Sequence, residues 1–200
     1  MPIMMSKKTI MIGGAGHAKV LIDIFRLRKQ ELIGILDPEL EIGASVLDVP
    51  VLGGDGVLDN FSSDEVQLVN GMGVLPGRIR RWDLAQALRT RGFEFLSVIH
   101  PAAIICSDVV LESGVQIMAG VVIQSGTTVG RDSVLNTGVL IDHDCKLDAQ
   151  CWLSPAATLC GSVTVGVGAY LGAGCTILQN VEIRDLTLVP AGSTIGEGVL

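Results

Sequence analysis

The 200-residue sequence has few aromatic residues (4%), few charged residues (18%) and only three histidines. Its 14 Lys and Arg against 21 Asp and Glu give a formal charge of −7, which argues against nucleic-acid binding because a phosphate backbone is bound by basic side chains. No apolar run reaches the roughly 18 residues that would predict a membrane span. A hydrophobic content of 48% is too high for a disordered chain, so these absences leave a folded protein.

Neither the N-terminus nor the five cysteines indicate an oxidising compartment or a metal site. Residues 1–9 include two lysines but no long apolar region or small-residue cleavage site, so they are not typical of a signal peptide. The cysteines contain no CxxC pair, which makes a zinc site or a disulfide the weaker interpretation. We therefore predict small buried thiols in a cytoplasmic protein without a bound metal.

A six-residue period runs from Ile99 to the end of the chain. Blocks of six from that residue all begin with Ile, Leu or Val: Ile99, Ile105, Leu111, Ile117, Ile123, Val129, Leu135, Ile141, Leu147, Leu153, Leu159, Val165, Leu171, Ile177, Ile183, Val189 and Ile195. The fifth residue of every block is small or β-branched. An α-helix does not sustain this period because 6 is not a multiple of 3.6. The pattern predicts a three-sided prism in which three blocks close a coil of 18 residues, with coils stacked as parallel strands ~4.8 Å apart.

Residues 1–97 have a different pattern, in which short apolar strands alternate with amphipathic helices. The pattern predicts strands at 9–12, 32–36 and 65–69, helices at 18–28 and 78–91, a turn starting at 51–54 and a helix stop at Gly92. On the first helix it predicts one apolar face, formed by Val20, Leu21, Ile24 and Leu27. We therefore expect a small α/β domain at 1–97 and a β-helix domain at 98–200.

A glycine-rich loop, Gly13–Gly16, lies between the first strand and the first helix. Glycines here allow close approach of a ligand, and the amides at a helix N-terminus favour an anion. The match to GxGxxG is poor, although Asp37 lies about 20 residues further on, as a ribose-binding acid would. A nucleotide-diphosphate group is the preferred interpretation, and a purely structural turn and NAD binding remain alternatives.

His143 is the histidine best placed for chemistry. It lies at the third position of its block, a bend from which its side chain should point outward, between Asp142 and Asp144. One coil later stands Gly161, whose missing side chain would leave a notch beside the imidazole and a backbone N–H for an oxyanion. One coil earlier stands the small Ser125. A solvated surface histidine is the alternative interpretation.

Several segments resemble one known family. Residues 136–163, NTGVLIDHDCKLDAQCWLSPAATLCGSV, are similar to the signature of the sialic-acid O-acetyltransferase-like branch of the hexapeptide-repeat acyltransferases. They are closest to the nucleotide-amino-sugar N-acetyltransferases of the bacillosamine and perosamine type. The loop 10–19, Asp37-Pro38 and residues 98–102 match the same family. The resemblance implies an α/β N-terminal domain followed by a left-handed parallel β-helix.

The resemblance also implies an activity and partners. Relatives are homotrimers that serve cell-surface polysaccharide biosynthesis, with acetyl-CoA in a groove between adjacent β-helices and the nucleotide of the sugar on the α/β domain. The implied reaction is direct acetyl transfer from acetyl-CoA to the 4-amino group of a UDP-, dTDP- or GDP-linked 4-amino-4,6-dideoxysugar, without an acyl-enzyme. The implied general base is His143, with Asp144 beside it.

The remaining roles follow the family's motifs position by position. The residues expected at the nucleotide sugar are Gly14, Gly16, His17, Asp37, Asn70, Gly71 and Asn136. The residues expected at the coenzyme are Trp152, Gly161, Ala173 and Ala191. Trp152 departs from the family, because some relatives have a second histidine there, and it is expected to form an apolar groove wall or interface packing.

Two other functions compete with this one. An O-acetyltransferase acting on sialic acid or a related sugar would not need a diphosphate-binding loop, but it would need a stronger base. A non-catalytic β-helix assembly module would not bind coenzyme A. A metal-dependent enzyme of the carbonic-anhydrase type is disfavoured, because the coils contain only His100, which we interpret as structural, and His143.

Overall fold

The computed structural model describes residues 7–77 and 80–196. The chain divides into two compact units, Met1–Val74 with Ile79–Leu96 and Leu75–Arg78 with Ser97–Leu200. Neither helix in the described part of the chain combines the length and the apolar character that crossing a membrane requires.

The first unit is built on a five-stranded, mostly parallel sheet. Its elements are β1 (Lys8–Ile12), α1 (Gly16–Leu27), β2 (Gly34–Leu36), β3 (Ser45–Val46), β4 (Val49–Gly53), a 3₁₀ helix (Asp55–Asn60), β5 (Val66–Asn70) and α2 (Arg80–Thr90). The strand order is β3-β4-β2-β1-β5, and only β3 is antiparallel to its neighbour. Because β2 and β5 flank β1, the loops after these three strands meet at one edge, where open α/β sheets bind ligands.

The α1 prediction needs a correction in its buried face. The helix exists, but it buries Ala18, Leu21, Ile22, Ile24 and Phe25, whereas Val20 and Leu27 are 44% and 54% exposed. The predicted α2 at 78–91 is described from Arg80 to Thr90, and its first two predicted residues lie outside the described residues.

The predicted turn at 51–54 is wrong, because most of this segment is strand β4. The strand forms a hairpin with β3, paired at Val46 and Val49, through a two-residue turn at Leu47 and Asp48 with φ of 47° and 62°. Two positive φ values match the turn that right-twisted hairpins favour, which Asn-Gly or Asp-Gly usually forms. Since Leu-Asp gives no such signal, the sequence pattern missed the hairpin.

The second unit is a three-sided parallel β-helix, as the six-residue period predicted. Face 1 contains β6 (Val98–Ile99), β9 (Gln116–Ile117), β12 (Val134–Leu135), β15 (Trp152–Leu153), β18 (Tyr170–Leu171) and β21 (Leu188–Val189). Face 2 contains β7 (Ile104–Ile105), β10 (Val122–Ile123), β13 (Leu140–Ile141), β16 (Thr158–Leu159), β19 (Thr176–Ile177) and β22 (Thr194–Ile195). Face 3 contains β8 (Val110–Leu111), β11 (Thr128–Val129), β14 (Lys146–Leu147), β17 (Thr164–Val165) and β20 (Glu182–Ile183).

Each strand pairs with the strand 18 residues further on, as Ile141 does with Leu159. The second residue of every strand begins a six-residue block and points into an aliphatic core. Cys145, Cys151 and Cys175 occupy fifth positions and are buried in that core, as predicted for small thiols. The same prediction is wrong for Cys106 and Cys160, which are partly exposed because they follow the inward residue and point out.

The bends of the β-helix repeat one backbone conformation. In every block from Leu111 to Val189 the fourth residue has a positive φ, between 58° and 76°. Half of these positions are glycine. The others are Asp132, Asp144, Gln150, Ala156, Ser162, Asn180 and Leu186. The left-handed turn therefore does not by itself demand glycine in this fold.

Candidate active site

His143 and Asp144 form a hydrogen-bonded pair on the bend between β13 and β14. The imidazole Nδ1 lies 2.8 Å from Asp144 Oδ2, and the His143 backbone N–H donates to Asp142 Oδ1 at 2.8 Å. Both side chains of the pair are exposed, at 59% and 65%. With Nδ1–H donated to the carboxylate, the neutral ring presents the Nε2 lone pair to a substrate.

Gly161 lies one coil below His143, as predicted. The Ser162 N–H donates to the His143 carbonyl at 2.9 Å, which fixes the stacking of the two bends. A Cβ on Gly161 would lie 2.7 Å from His143 Cε1 and 2.8 Å from Nε2. The predicted notch is therefore filled by the imidazole itself, which lies over a residue without a side chain.

The acidic neighbours of His143 favour its charged form. The hydrogen bond to Asp144 raises the pKa of the imidazole above its ordinary value, and the charge of Asp142 adds to the shift. A raised pKa makes the neutral ring a stronger base. The same acidic neighbours stabilise the imidazolium that forms when the ring takes a proton.

A backbone amide beside the imidazole has no acceptor within the part of the chain that the structure describes. Among the described residues, the Gly161 N–H donates no hydrogen bond, whereas those of Cys160 and Ser162 each donate at 2.9 Å. Such an N–H is suited to an oxyanion that develops next to the base.

The nearest thiol is unsuited to act as a nucleophile. Cys145 follows His143 by two residues, but its Sγ points inward and donates to the Cys160 carbonyl at 3.2 Å. Burial raises the pKa of the Cys145 thiol, and it raises that of Cys151 to about 12. Thiols held neutral in this way are poor nucleophiles.

The other predicted β-helix residues lie away from this bend within one chain. Ala173 and Ala191 lie on the bends between faces 1 and 2, a different edge of the prism from the His143 bend between faces 2 and 3. Asn136 follows β12 on face 1, and its Nδ2 donates to the Leu153 carbonyl at 2.7 Å. Trp152 is also on face 1 and is only 8% exposed, so little of its surface is available to a coenzyme.

In the α/β unit, the glycine loop is packed tightly at Gly14 and open at Gly16, and Gly71 in the turn after β5 packs against it. A Cβ on Gly14 would lie 2.6 Å from Leu40 Cδ1, and one on Gly71 would lie 2.6 Å from the Gly13 carbonyl oxygen. A Cβ on Gly16 would meet nothing within 4 Å. The first two glycines therefore shape the loop, and the third leaves space at the start of α1.

Asp37 connects the loop after β2 to the glycine loop. Its Oδ2 accepts from the Gly14 N–H at 2.8 Å and its Oδ1 from the Glu39 N–H at 2.9 Å. Each carboxylate oxygen has a further lone pair for a ligand. Asp37 thus has a structural role that the sequence did not reveal, and a ribose contact stays a prediction.

Asn70 is buried and holds the turn after β5. Its Oδ1 accepts from the Met72 N–H at 3.2 Å and its Nδ2 donates to the Arg81 carbonyl at 3.3 Å. The buried Arg81 donates in return to the carbonyls of Asn70 and Met72. Both polar ends of the Asn70 side chain are used inside the protein, so its predicted contact with a substrate stays untested.

A pocket of about 190 Å³ lies where the loops after β1, β2 and β5 meet. The chain backbone at Gly13 and Ala15 lines it, together with Asp37, and His17 is half-buried beside Gly73, another lining residue. The sequence analysis did not name several side chains that line the pocket, among them Glu39, Asp55, Met72 and Arg80. Their common signal is that each belongs to the segment after a strand of the sheet, which only the topology makes evident.

The N-terminal half of the chain matches a known domain family. The PglD N-terminal domain covers residues 8–81. A mutant of perosamine N-acetyltransferase from Caulobacter crescentus, solved with CoA and GDP-perosamine, is 35% identical over 98% of this chain and 91% of its own, with a TM-score of 0.87. The chain belongs to this family of hexapeptide-repeat acyltransferases. The acetyltransferase domain of PglB from Neisseria gonorrhoeae, solved with acetyl coenzyme A, is 29% identical over 97% of this chain and 95% of that domain, with a TM-score of 0.86. None of the curated proteins matches the sequence.

Membership confirms three predictions for this acyltransferase. The fold is an α/β domain followed by a left-handed parallel β-helix, the chain belongs to a family of sugar N-acetyltransferases, and structures of its relatives contain CoA or acetyl coenzyme A, the predicted co-substrate. Within residues 7–77 and 80–196, no group of three or more His, Cys, Asp or Glu side chains is arranged to hold a metal ion.

Proposed function

We propose that this acyltransferase transfers the acetyl group of acetyl-CoA to the 4-amino group of a nucleotide-linked 4-amino-4,6-dideoxysugar. The observation that carries the proposal is the exposed His143–Asp144 pair, bonded at 2.8 Å over Gly161. It is the arrangement of a base with a fixed tautomer, in a family whose member from Caulobacter crescentus was solved with CoA and GDP-perosamine.

His143 acts as the general base in this mechanism. Its Nε2 accepts a proton from the amino group while the amine nitrogen attacks the thioester carbonyl. The C–N bond forms, the C–S bond breaks, and the imidazolium returns the proton to the departing sulfur, which leaves an acetamide and the free thiol. General-base help of this kind contributes roughly 10²–10⁴-fold. The Gly161 N–H stabilises the oxyanion, and no residue becomes acylated.

The pocket of the α/β unit holds the nucleotide. Arg80 and the amides that begin α1 supply positive charge for the diphosphate, as helix N-termini do. Glu39 and Asp55 line the same pocket and bring two carboxylates to it. Guanine offers N1–H and N2–H₂ to a carboxylate, whereas uracil and thymine offer a single N–H. These side chains therefore favour a GDP-linked sugar over the UDP- and dTDP-linked ones.

A homotrimer completes the site in this proposal. In one chain, His143 lies on one edge of the prism, and Ala173 and Ala191 lie on another. A coenzyme groove that includes both sets must combine two copies. In the same proposal Trp152, on face 1 beside the second edge, forms part of that neighbouring wall, and Asn136 on the same face lines the acceptor pocket.

Thiol release from acetyl-CoA tests the reaction. The enzyme is incubated with UDP-, dTDP- and GDP-linked 4-amino-4,6-dideoxysugars and with free sialic acid, and products are analysed by mass spectrometry. We expect acceptor-dependent release with the GDP-linked amino sugar and an N-acetylated product. Release with sialic acid alone would replace the proposal by O-acetylation. Silence throughout, with no coenzyme A binding, would instead indicate a non-catalytic β-helix module.

A further inference from the structure

We infer that Gly126 is a positioning residue for the general base: its missing side chain leaves the space in which Asp144 lies while it holds His143. The inference rests on the proposed roles of that pair. Gly126 stands one coil before Asp144, in the same position of its block.

The backbone conformation does not explain the glycine. Gly126 has a φ of 74°, but Ala156 and Ser162 occupy equivalent bends with φ of 59° and 61°. A left-handed bend costs a non-glycine residue roughly 1–2 kcal/mol, a cost that this fold bears at several bends. Another reason must therefore keep position 126 free of a side chain.

The neighbouring coil supplies that reason. A Cβ on Gly126 would lie 2.4 Å from Asp144 Oδ1 and 3.3 Å from its Cγ, far inside van der Waals contact. The other oxygen of the same carboxylate, Oδ2, is the one bonded to His143 Nδ1 at 2.8 Å. Since both oxygens belong to one rigid planar group, a carboxylate that moves to accommodate a methyl group at 126 loses its alignment with the imidazole.

The Ser125–Gly126 turn is held in place, so Asp144 is the part that moves. Asp108 Oδ2 accepts from the Ser125 hydroxyl at 2.6 Å and from the Gly126 N–H at 2.9 Å. The Asp144 N–H donates to the Ser125 carbonyl at 2.9 Å. These hydrogen bonds tie the turn to the coils on both sides, whereas the exposed Asp144 side chain can rotate about its own torsions once its bond to His143 breaks.

The test compares Gly126→Ala with Gly138→Ala. Gly138 has a φ of 71° in an equivalent bend, and a Cβ there would meet nothing within 4 Å. Both variants carry the same backbone cost, and only one has the clash. The primary measurement is an NMR titration of the His143 ring, which is assigned by its loss in His143→Ala and requires no turnover.

The titration is informative because few charges face the ring. Asp142 and Asp144 lie on its own bend, and the neighbouring coils present the uncharged Ser125 and Gly161, with Asp108 a further coil away. We expect Gly126→Ala to lower the pKa of His143 towards the value that His143 has in the Asp144→Asn variant. It should also reduce kcat about tenfold or more, with KM for acetyl-CoA little changed. Gly138→Ala should change neither quantity.

A double variant keeps the inference testable if Gly126→Ala folds poorly. Asp144→Ala removes the clashing carboxylate, so Gly126→Ala should then lower the melting temperature by no more than Gly138→Ala does. Equal His143 pKa values in the two glycine variants would overturn the inference, and so would excess destabilisation in the Asp144→Ala background. Because neither readout depends on acetyl transfer, failure of the proposed reaction would be recognised separately.

Discussion

Replacing Gly161 by Ala should inactivate the enzyme without unfolding it. The added Cβ would lie 2.7 Å from His143 Cε1, whereas ordinary contact begins at 3.4 Å, so the ring must shift by about 0.7 Å or rotate away. A misplacement of roughly 1 Å in a catalytic group costs on the order of 10²-fold in rate. We therefore expect kcat to fall about 10²-fold.

The same substitution should change stability little. Gly161 is not among the residues with a positive φ, and the atoms that its Cβ meets belong to the exposed side chain of His143, which can move towards solvent if its bond to Asp144 breaks. Replacement of glycine by alanine at a compatible position stabilises by roughly 0.4–1 kcal/mol through the unfolded chain, which offsets part of the crowding. Denaturant unfolding should therefore give a free energy within about 1 kcal/mol of the wild-type value.

Steady-state acetyl transfer and coenzyme A binding are the assays. In a His143→Ala background the clash is absent, so Gly161→Ala should cause no further loss of kcat. Wild-type turnover in Gly161→Ala would refute the placement of the imidazole over this glycine. A loss confined to coenzyme A affinity, with kcat intact, would assign Gly161 to the coenzyme alone.

Three further outcomes test the remaining parts of the site. His143→Ala should lower kcat at least about 10²-fold while light scattering reports the same assembly as for the wild type, which we propose is a trimer, and near-wild-type turnover would contradict the assignment of His143 as the general base. Asp144→Asn should lower the pKa of His143 and move the acidic limb of the rate profile to lower pH. The raised pKa of His143 stabilises the folded wild-type protein at pH values below the pKa of an unfolded histidine, about 6.5, and this stabilisation is lost as the pH rises through the pKa of His143 in the folded protein. The loss of stability in Asp144→Asn should therefore be larger at pH 5 than at pH 9. Arg80→Ala should raise KM for the nucleotide sugar but not for acetyl-CoA, and equal effects on both would contradict its contact with the diphosphate.

The β-helix was predictable because every six-residue block shows the same local pattern, with an aliphatic residue at its first position. An inward aliphatic residue such as Ile141 recurs every six positions, and its partner in the next coil is always 18 residues away. The α/β unit gives no such repetition. Strand β4 was missed because the glycines at 53 and 54 resemble a turn. In the structure Leu52 of β4 packs over Gly34 of β2, where a Cβ would lie 2.3 Å from Leu52 Cγ. That contact joins distant segments and leaves no local pattern.

In the candidate site, too, local features could be predicted and long-range ones could not. The pairing of His143 with Asp144 could be predicted because the two residues are adjacent on one bend. Arg80 was missed because it begins α2, and only the strand order, with β5 beside β1, brings the start of α2 to the pocket. Asp37 was found as an acid after β2, but its bond to the Gly14 N–H depends on how two loops approach each other.

The 18-residue coil nevertheless gives a rule by which spaces around the base are found in sequence. The imidazole lies over the residue 18 positions after His143, and the carboxylate lies against the residue 18 positions before Asp144. Both residues, Gly161 and Gly126, are glycine, although serine, glutamine, asparagine and aspartate occupy the same two columns in other coils. A general base and its partner carboxylate on one bend of this β-helix thus require a residue without a side chain on each neighbouring coil. A side chain at either position should leave the β-helix folded but disturb the alignment of His143 and Asp144 on which proton transfer depends.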